Sequence, residues 1–92
     1  MSTSPLITSS SNPRIKDIRK LRERKYRAES GLYFVEGLRI VGEAARYLEL
    51  MQTLIVAPVL LTSSYGRDLV AELRGKGIET LEVSSDVFAT LS

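Results

Sequence analysis

The stretch that decides the fold is residues 53–83, TLIVAPVLLTSSYGRDLVAELRGKGIETLEV. Residues 53–57 are a short run of β-branched and apolar types, which predicts a buried strand that ends at Pro58. Residues 66–76 then place apolar side chains three and four positions apart, as an amphipathic helix does. Residues 78–83 alternate and predict another strand. Strand, helix and strand in this order favour a parallel sheet.

A helix is predicted on the N-terminal side of this stretch. Asn12 and Pro13 are a typical start, because asparagine caps free backbone N–H groups and proline suits the first helical position. Apolar residues recur at every third position from Ile15 to Leu21, and Gly31 suits a left-handed cap. We therefore expect one continuous helix of about four turns between residues 13 and 30.

The remaining segments repeat the strand-then-helix order. Residues 32–35 predict a short buried strand, and residues 38–48 an amphipathic helix. Residues 84–86 are expected to cap a last helix, which stops soon after it starts, as in a truncated domain. One helix followed by three strand–helix pairs predicts an α/β fold, a three-layer α/β/α sandwich with a largely parallel sheet.

Length and composition limit the catalytic and metal-binding chemistry that this chain can perform. Ninety-two residues support one small domain, and there are no cysteines or histidines. Disulfides, zinc–thiolate sites and thiol nucleophiles are thereby excluded, together with the commonest general base. No acidic cluster has metal-ligand spacing. We therefore expect no catalytic residue and no metal site.

The ends of the domain are predicted from composition. Residues 1–11 are rich in Ser and Thr, which indicates a flexible lead-in, and residues 12–92 form the domain. The longest apolar run, residues 54–61, is far shorter than the roughly 20 residues that span a bilayer. We expect no membrane association, and a cytoplasmic location.

Positive charge is concentrated near the N-terminus. Residues 1–30 carry eight of the thirteen Lys and Arg but only three of the eleven Asp and Glu, although the net charge of the chain is only +2. On the predicted helix, Lys16, Lys20, Arg24 and Arg27 share one face, where they can neutralise phosphates. A solvated helix face explains the same pattern, so charge alone leaves both interpretations open.

Two further pairs of residues are candidates for function. Tyr26 and Tyr33 can stack on unpaired bases. Aromatic residues in a strand are more often core, and of Tyr33 and Phe34 alternation would turn only Tyr33 outward. Glu36 and Gly37 follow a predicted strand, where parallel sheets often bind ligands. No catalytic partner is visible near them, so we interpret this pair as a structural turn.

Two motifs resemble a known family. NPRIK at residues 12–16 and FVEGLR at residues 34–39 are similar to the opening of the substrate-binding domain of SpoU/TrmH-family (SPOUT-class) RNA 2′-O-ribose methyltransferases. LIV at residues 54–56 and the alternating residues 78–83 fall where that domain has its second and third strands. The resemblance covers nearly the whole chain.

The resemblance implies a fold like that of ribosomal proteins that bind kink-turn RNA. It also implies binding of ribosomal or transfer RNA ahead of a separate knotted domain, which binds S-adenosylmethionine, dimerises and methylates a ribose 2′-hydroxyl. Because the signature motifs of the knotted domain are missing here, we expect this chain alone to be monomeric and catalytically silent, and its parent to be a homodimeric methyltransferase. Carried over by position, RNA contacts fall on Arg14, Lys16, Lys20, Arg24, Arg27 and Arg39, with Glu36 and Gly37 as a structural turn.

Two alternatives stay open. A stand-alone RNA-binding protein of the kink-turn type would share the fold and the charge but would need no catalytic partner. A protein-interaction module whose basic face meets an acidic partner would bind RNA weakly or with little dependence on salt.

Overall fold

The computed structural model describes residues 6–91. The helices and strands, in chain order, are α1 (Pro13–Arg19), α2 (Arg24–Ser30), α3 (Leu38–Ala44), β1 (Thr53–Val56), α4 (Ser64–Gly75), β2 (Glu79–Glu82) and α5 (Ser85–Leu91). Short 3-10 helices lie between them at Lys20–Arg22, Leu48–Leu50 and Pro58–Leu60.

The stretch that was expected to decide the fold forms the sheet. β1 and β2 pair in parallel, with Thr53 opposite Glu79 and Val56 opposite Glu82. α4 connects the two strands, because parallel neighbours need a crossover rather than a tight turn. The backbone N–H of Val83 donates to the carbonyl of Val56 at 2.9 Å and extends the pairing past β2.

Helices cover both faces of this sheet. Leu54 of β1 packs with the fully buried Leu73 of α4, and Val41 of α3 packs against the same cluster. The next residue, Ile55, packs instead against a second cluster that contains Ile15 of α1 and Val87 of α5. Neighbouring strand residues point to opposite faces, so the expected α/β fold with helices on both sides is confirmed.

The prediction of a strand at residues 32–35 is wrong. This segment has no strand pairing, although its side chains alternate as expected: Leu32 and Phe34 are partly buried, whereas Tyr33 and Val35 are exposed. Phe34 packs against the cluster beside α1 and α5. Side-chain packing alone thus accounts for the alternation, without backbone pairing.

The continuous helix expected between residues 13 and 30 is interrupted. Its two ends are as predicted: Asn12 Oδ1 accepts the N–H of Arg14 at 2.9 Å, and Gly31 adopts the left-handed conformation with φ 72°. In the middle, a 3-10 turn follows α1, and Glu23 is extended with φ −88° and ψ 127°. The chain therefore changes direction before α2 begins at Arg24.

The segment before α1 is anchored at Ile7. The N–H of Ile7 donates to the carbonyl of Glu82 at 2.8 Å, and the N–H of Ser84 donates to the carbonyl of Ile7 at 2.9 Å. Residues 1–5 of the expected flexible lead-in lie outside the described residues, but Ile7 is bonded to the end of β2. The folded unit therefore starts before residue 12.

Candidate nucleic-acid interface

The break at Glu23 decides how the basic residues are arranged. Lys16 and Lys20 precede the break, whereas Arg24 and Arg27 follow it on α2. These four side chains therefore do not form the single helical face that their spacing predicts. Whether each side chain is available to bind RNA depends on its own contacts within the protein.

Arg14 is engaged by a carboxylate. Its Nη1 and Nη2 donate to Glu79 Oε2 and Oε1 at 3.0 and 2.8 Å, and the Thr53 hydroxyl also donates to Oε1, at 2.9 Å. The hydrogen bonds from Arg14 and then from Thr53 lower the pKa of Glu79 to about 2. Arg14 thus ties α1 to both strands, and Glu79 compensates its charge.

Lys20 and Arg27 are engaged within the α1–α2 region. Lys20 Nζ lies 3.6 Å from Asp17 Oδ1 and 5.7 Å from the centre of the Tyr26 ring. Arg27 Nη1 donates to the backbone carbonyls of Leu21 and Arg22 at 2.8 and 2.9 Å. The guanidinium of Arg27 therefore holds the turn between the two helices.

The other three candidate residues are open to a ligand. Lys16, Arg24 and Arg39 are exposed and form no hydrogen bond or ion pair through their side chains with residues 6–91. Lys25, beside Arg24, has the same character, although its helical spacing did not single it out. These four cations are the positions where a phosphate displaces only water.

Glu36 and Gly37 lie beside an apolar groove of about 320 Å³ at the carboxyl end of β1. Gly37 precedes α3 with φ 105° and ψ 139°, a conformation that a side chain strongly disfavours. Aliphatic side chains such as Leu38, Leu61 and Leu69 line the groove, and no Lys or Arg of residues 6–91 does. The backbone conformation at position 37 therefore explains why this turn contains a glycine.

Two other kinds of site are absent from residues 6–91. In this part of the chain, no group of three or more His, Cys, Asp or Glu side chains is placed to hold a metal ion. None of its helices has the length and apolar character needed to cross a membrane.

Comparison with known proteins identifies the family of this chain. A family model described as the MRM3-like substrate-binding domain matches residues 12–92. The chain belongs to that family. No curated protein matches the MRM3-like domain described here. The resemblance to an RNA methyltransferase substrate-binding domain is thereby confirmed at the level of the family.

A solved structure gives the same result. The MRM3-like domain is similar to the rRNA methyltransferase from Sinorhizobium meliloti, with 32% sequence identity and a TM-score of 0.71. The match covers 95% of this chain but 31% of that enzyme. The chain thus spans about a third of the length of that methyltransferase.

Proposed function

We propose that this MRM3-like domain recruits RNA to a SpoU/TrmH-type methyltransferase that modifies a ribose 2′-hydroxyl. Ribosomal RNA is the favoured substrate, because the similar solved structure is an rRNA methyltransferase. The chain itself binds and does not catalyse. Its parent is a cytoplasmic homodimer, and the isolated domain is a monomer.

The observation that carries this proposal is the family match over residues 12–92, together with unengaged cations on the matched part. Lys16, Arg24, Lys25 and Arg39 are each exposed and unpaired within the described residues. Such cations bind a phosphate backbone by releasing its counterions, whatever the base sequence. This mode suits a domain that brings a large RNA to an active site elsewhere.

S-adenosylmethionine is assigned to the catalytic domain of the parent. The apolar groove beside Glu36 is lined mostly by aliphatic side chains and offers few donors for the carboxylate of the methionine part. The residues that line this groove in the described part of the chain therefore do not fit the donor, and no step of methyl transfer is assigned to them.

RNA binding is tested by titrating the chain against ribosomal RNA fragments and transfer RNA at several salt concentrations. The test variant is Lys16→Glu with Arg24→Glu, which reverses two open cations. The matched control is Arg46→Glu with Arg67→Glu, which makes the same charge change outside α1 and α2 at two exposed residues that form no ion pair with residues 6–91. We expect affinity that falls steeply with salt, collapses in the test variant and persists in the control.

Three results would contradict the proposal. The wild-type chain could fail to bind either RNA, or it could bind with no dependence on salt. The third is an equal loss in both charge-reversed variants, because net charge rather than a defined surface would then govern binding.

The link to methylation is tested in the parent enzyme. Lys16→Glu with Arg24→Glu should raise KM for RNA and leave kcat nearly unchanged, because binding is weakened without touching the chemistry. A methylated 2′-hydroxyl cannot attack the neighbouring phosphate, so the product linkage should resist alkaline cleavage. A product that is cleaved normally in alkali would place the methyl group on a base and refute ribose methylation.

A further inference from the structure

A second cavity, of about 400 Å³, lies where α1, the following 3-10 turn and α2 meet residues 33–34 and the end of α5. We call it the arginine cleft, and it is defined by Arg19, Arg22, Arg27, Tyr33 and Phe34. Its volume falls within the range of about 300–1,000 Å³ that is typical of ligand pockets. No Asp or Glu is among the residues that line it.

Neutral groups hold the guanidinium groups of Arg19 and Arg27 in place, and Arg22 also bonds to the end of α5. Arg19 Nη2 donates to Thr90 Oγ1 at 3.0 Å and to the carbonyl of Ser10 at 3.1 Å. Arg22 Nη2 donates to the carbonyl of Thr90 at 2.6 Å. Arg27 is fixed by the two carbonyls already described. Oriented side chains lose little further freedom when a ligand binds.

The cleft is suited to an anion. A guanidinium has five N–H donors, and the bonds of Arg19 and Arg27 within residues 6–91 each use a single nitrogen. The donors on the other nitrogens of Arg19 and Arg27 remain available, and among residues 6–91 no Asp or Glu lines the cleft. Arginine is the side chain that best matches phosphate, because its planar fork donates two parallel hydrogen bonds.

An aromatic ring at the cleft further limits the kind of anion that the cleft is suited to bind. Tyr33 is 75% exposed, although it lies next to the partly buried Phe34. An exposed aromatic ring beside bound phosphate is the arrangement by which proteins hold unpaired nucleotides, with the base stacked on the ring. A phosphate ion alone would make no use of Tyr33.

We infer that the arginine cleft binds one unstacked nucleotide of the substrate RNA, with its phosphate on the arginines and its base on Tyr33. This inference rests on the proposed RNA-binding function and adds a preference for single-stranded regions. The open cations Lys16, Arg24, Lys25 and Arg39 contact the backbone of any RNA, whereas the cleft accepts only a nucleotide that has left a helix.

The test compares a short labelled single-stranded RNA with the same strand annealed to its complement. Tyr33→Leu should weaken binding of the single strand by about 5- to 150-fold, the usual effect of losing one stacked base, and change duplex binding by less than about twofold. Arg19→Gln should weaken binding of the single strand and lower its salt slope by about 0.7. Because Tyr33 is largely exposed, Tyr33→Leu should leave the fold intact, which circular dichroism checks.

Matched controls lie outside the cleft. Tyr47→Leu removes another exposed tyrosine, and Arg46→Gln removes an arginine that does not line the cleft. Both should bind single-stranded RNA within about twofold of the wild type.

The outcomes separate this inference from the proposed function. If both cleft variants bind like the wild type while Lys16→Glu with Arg24→Glu loses binding, the cleft is refuted and the proposed function stands. If the wild-type chain binds no RNA, both fail. If poly-glutamate competes as well as RNA and Tyr33→Leu makes no difference, the cleft serves an acidic protein instead and the inference is overturned.

Discussion

Arg14 and Glu79 are 65 positions apart in the chain, yet two hydrogen bonds join the guanidinium of one to the carboxylate of the other. The pair links the first turn of α1 to the first residue of β2. Both side chains are about half exposed, so water screens the attraction and the pair contributes at most about 1 kcal/mol to stability. Its role is to set the position of α1 on the sheet.

This ion pair should make stability depend on acid pH. The pKa of Glu79 is lowered from 4.5 to about 2 in the folded protein. The contribution of the pair is therefore complete above about pH 4.5 and is lost as the pH falls through about 2. We expect Glu79→Gln to lower the free energy of unfolding by up to about 1 kcal/mol at neutral pH and by less at pH 2. Urea denaturation of both proteins across this range measures the difference.

The control for this effect is a double-mutant cycle with Arg14→Gln. If Arg14 and Glu79 act on each other, the loss in the double variant should be smaller than the sum of the two single losses at neutral pH. Additive losses would mean that the two residues do not stabilise the fold as a pair.

Gly37 should tolerate no side chain. Its φ of 105° places it where alanine is strained, so Gly37→Ala should lower the free energy of unfolding by about 1–3 kcal/mol. Gly75, at the end of α4, is the matched control, because its φ is not positive and nothing lies within 4 Å of an added Cβ. Gly75→Ala should be neutral or stabilising by up to about 1 kcal/mol. Equal losses in thermal or urea denaturation would contradict the backbone argument.

Ser63 should stabilise the start of α4. Its Oγ accepts the N–H of Gly66 at 3.0 Å and so satisfies one free donor of the helix. Ser63→Ala should cost about 1 kcal/mol of stability. The neighbouring Ser64 forms no side-chain hydrogen bond with the described residues, so Ser64→Ala should change stability by less than about 0.5 kcal/mol. A urea midpoint that shifts equally in both variants would argue against the cap.

Leu73 should be the most sensitive position of the cluster between α4 and the sheet. It is fully buried, so Leu73→Ala should destabilise the domain by about 2–5 kcal/mol through lost burial and a cavity. Leu50 is 77% exposed and provides the matched control, with an expected change below about 0.5 kcal/mol. Chemical denaturation distinguishes the two, and a tolerant Leu73 would mean that this cluster adds little to stability.

Much of the fold could be predicted because its signals are local. The apolar run before Pro58 predicted β1 to within one residue, and the spacing of Leu69 and Leu73 located α4. The prediction of a strand at residues 32–35 was wrong, and the reason lies in what alternation can report. Alternation indicates which side chains point inward, and Phe34 does point inward. Alternation does not indicate whether the backbone pairs with another strand.

The candidate site was less predictable because the relevant contacts are distant in the chain. Charge and spacing pointed to Arg27 as readily as to Lys16 and Arg24, and the family resemblance added Arg14. The partner of Arg14 lies 65 positions away, and Arg19 and Arg22 meet Thr90 across 71 and 68 positions. No local pattern carries that information, so the arginine cleft emerges only from the folded chain.

The hydrogen bonds of Ile7 have a practical consequence for anyone who trims this protein. The family match begins at residue 12, which invites a recombinant domain that starts there. Such a domain would leave the carbonyl of Glu82 and the N–H of Ser84 without the partners they have in Ile7. Unpaired groups along an outer strand recruit strands from other molecules. A domain cut at Asn12 should therefore aggregate sooner than one that keeps Ile7.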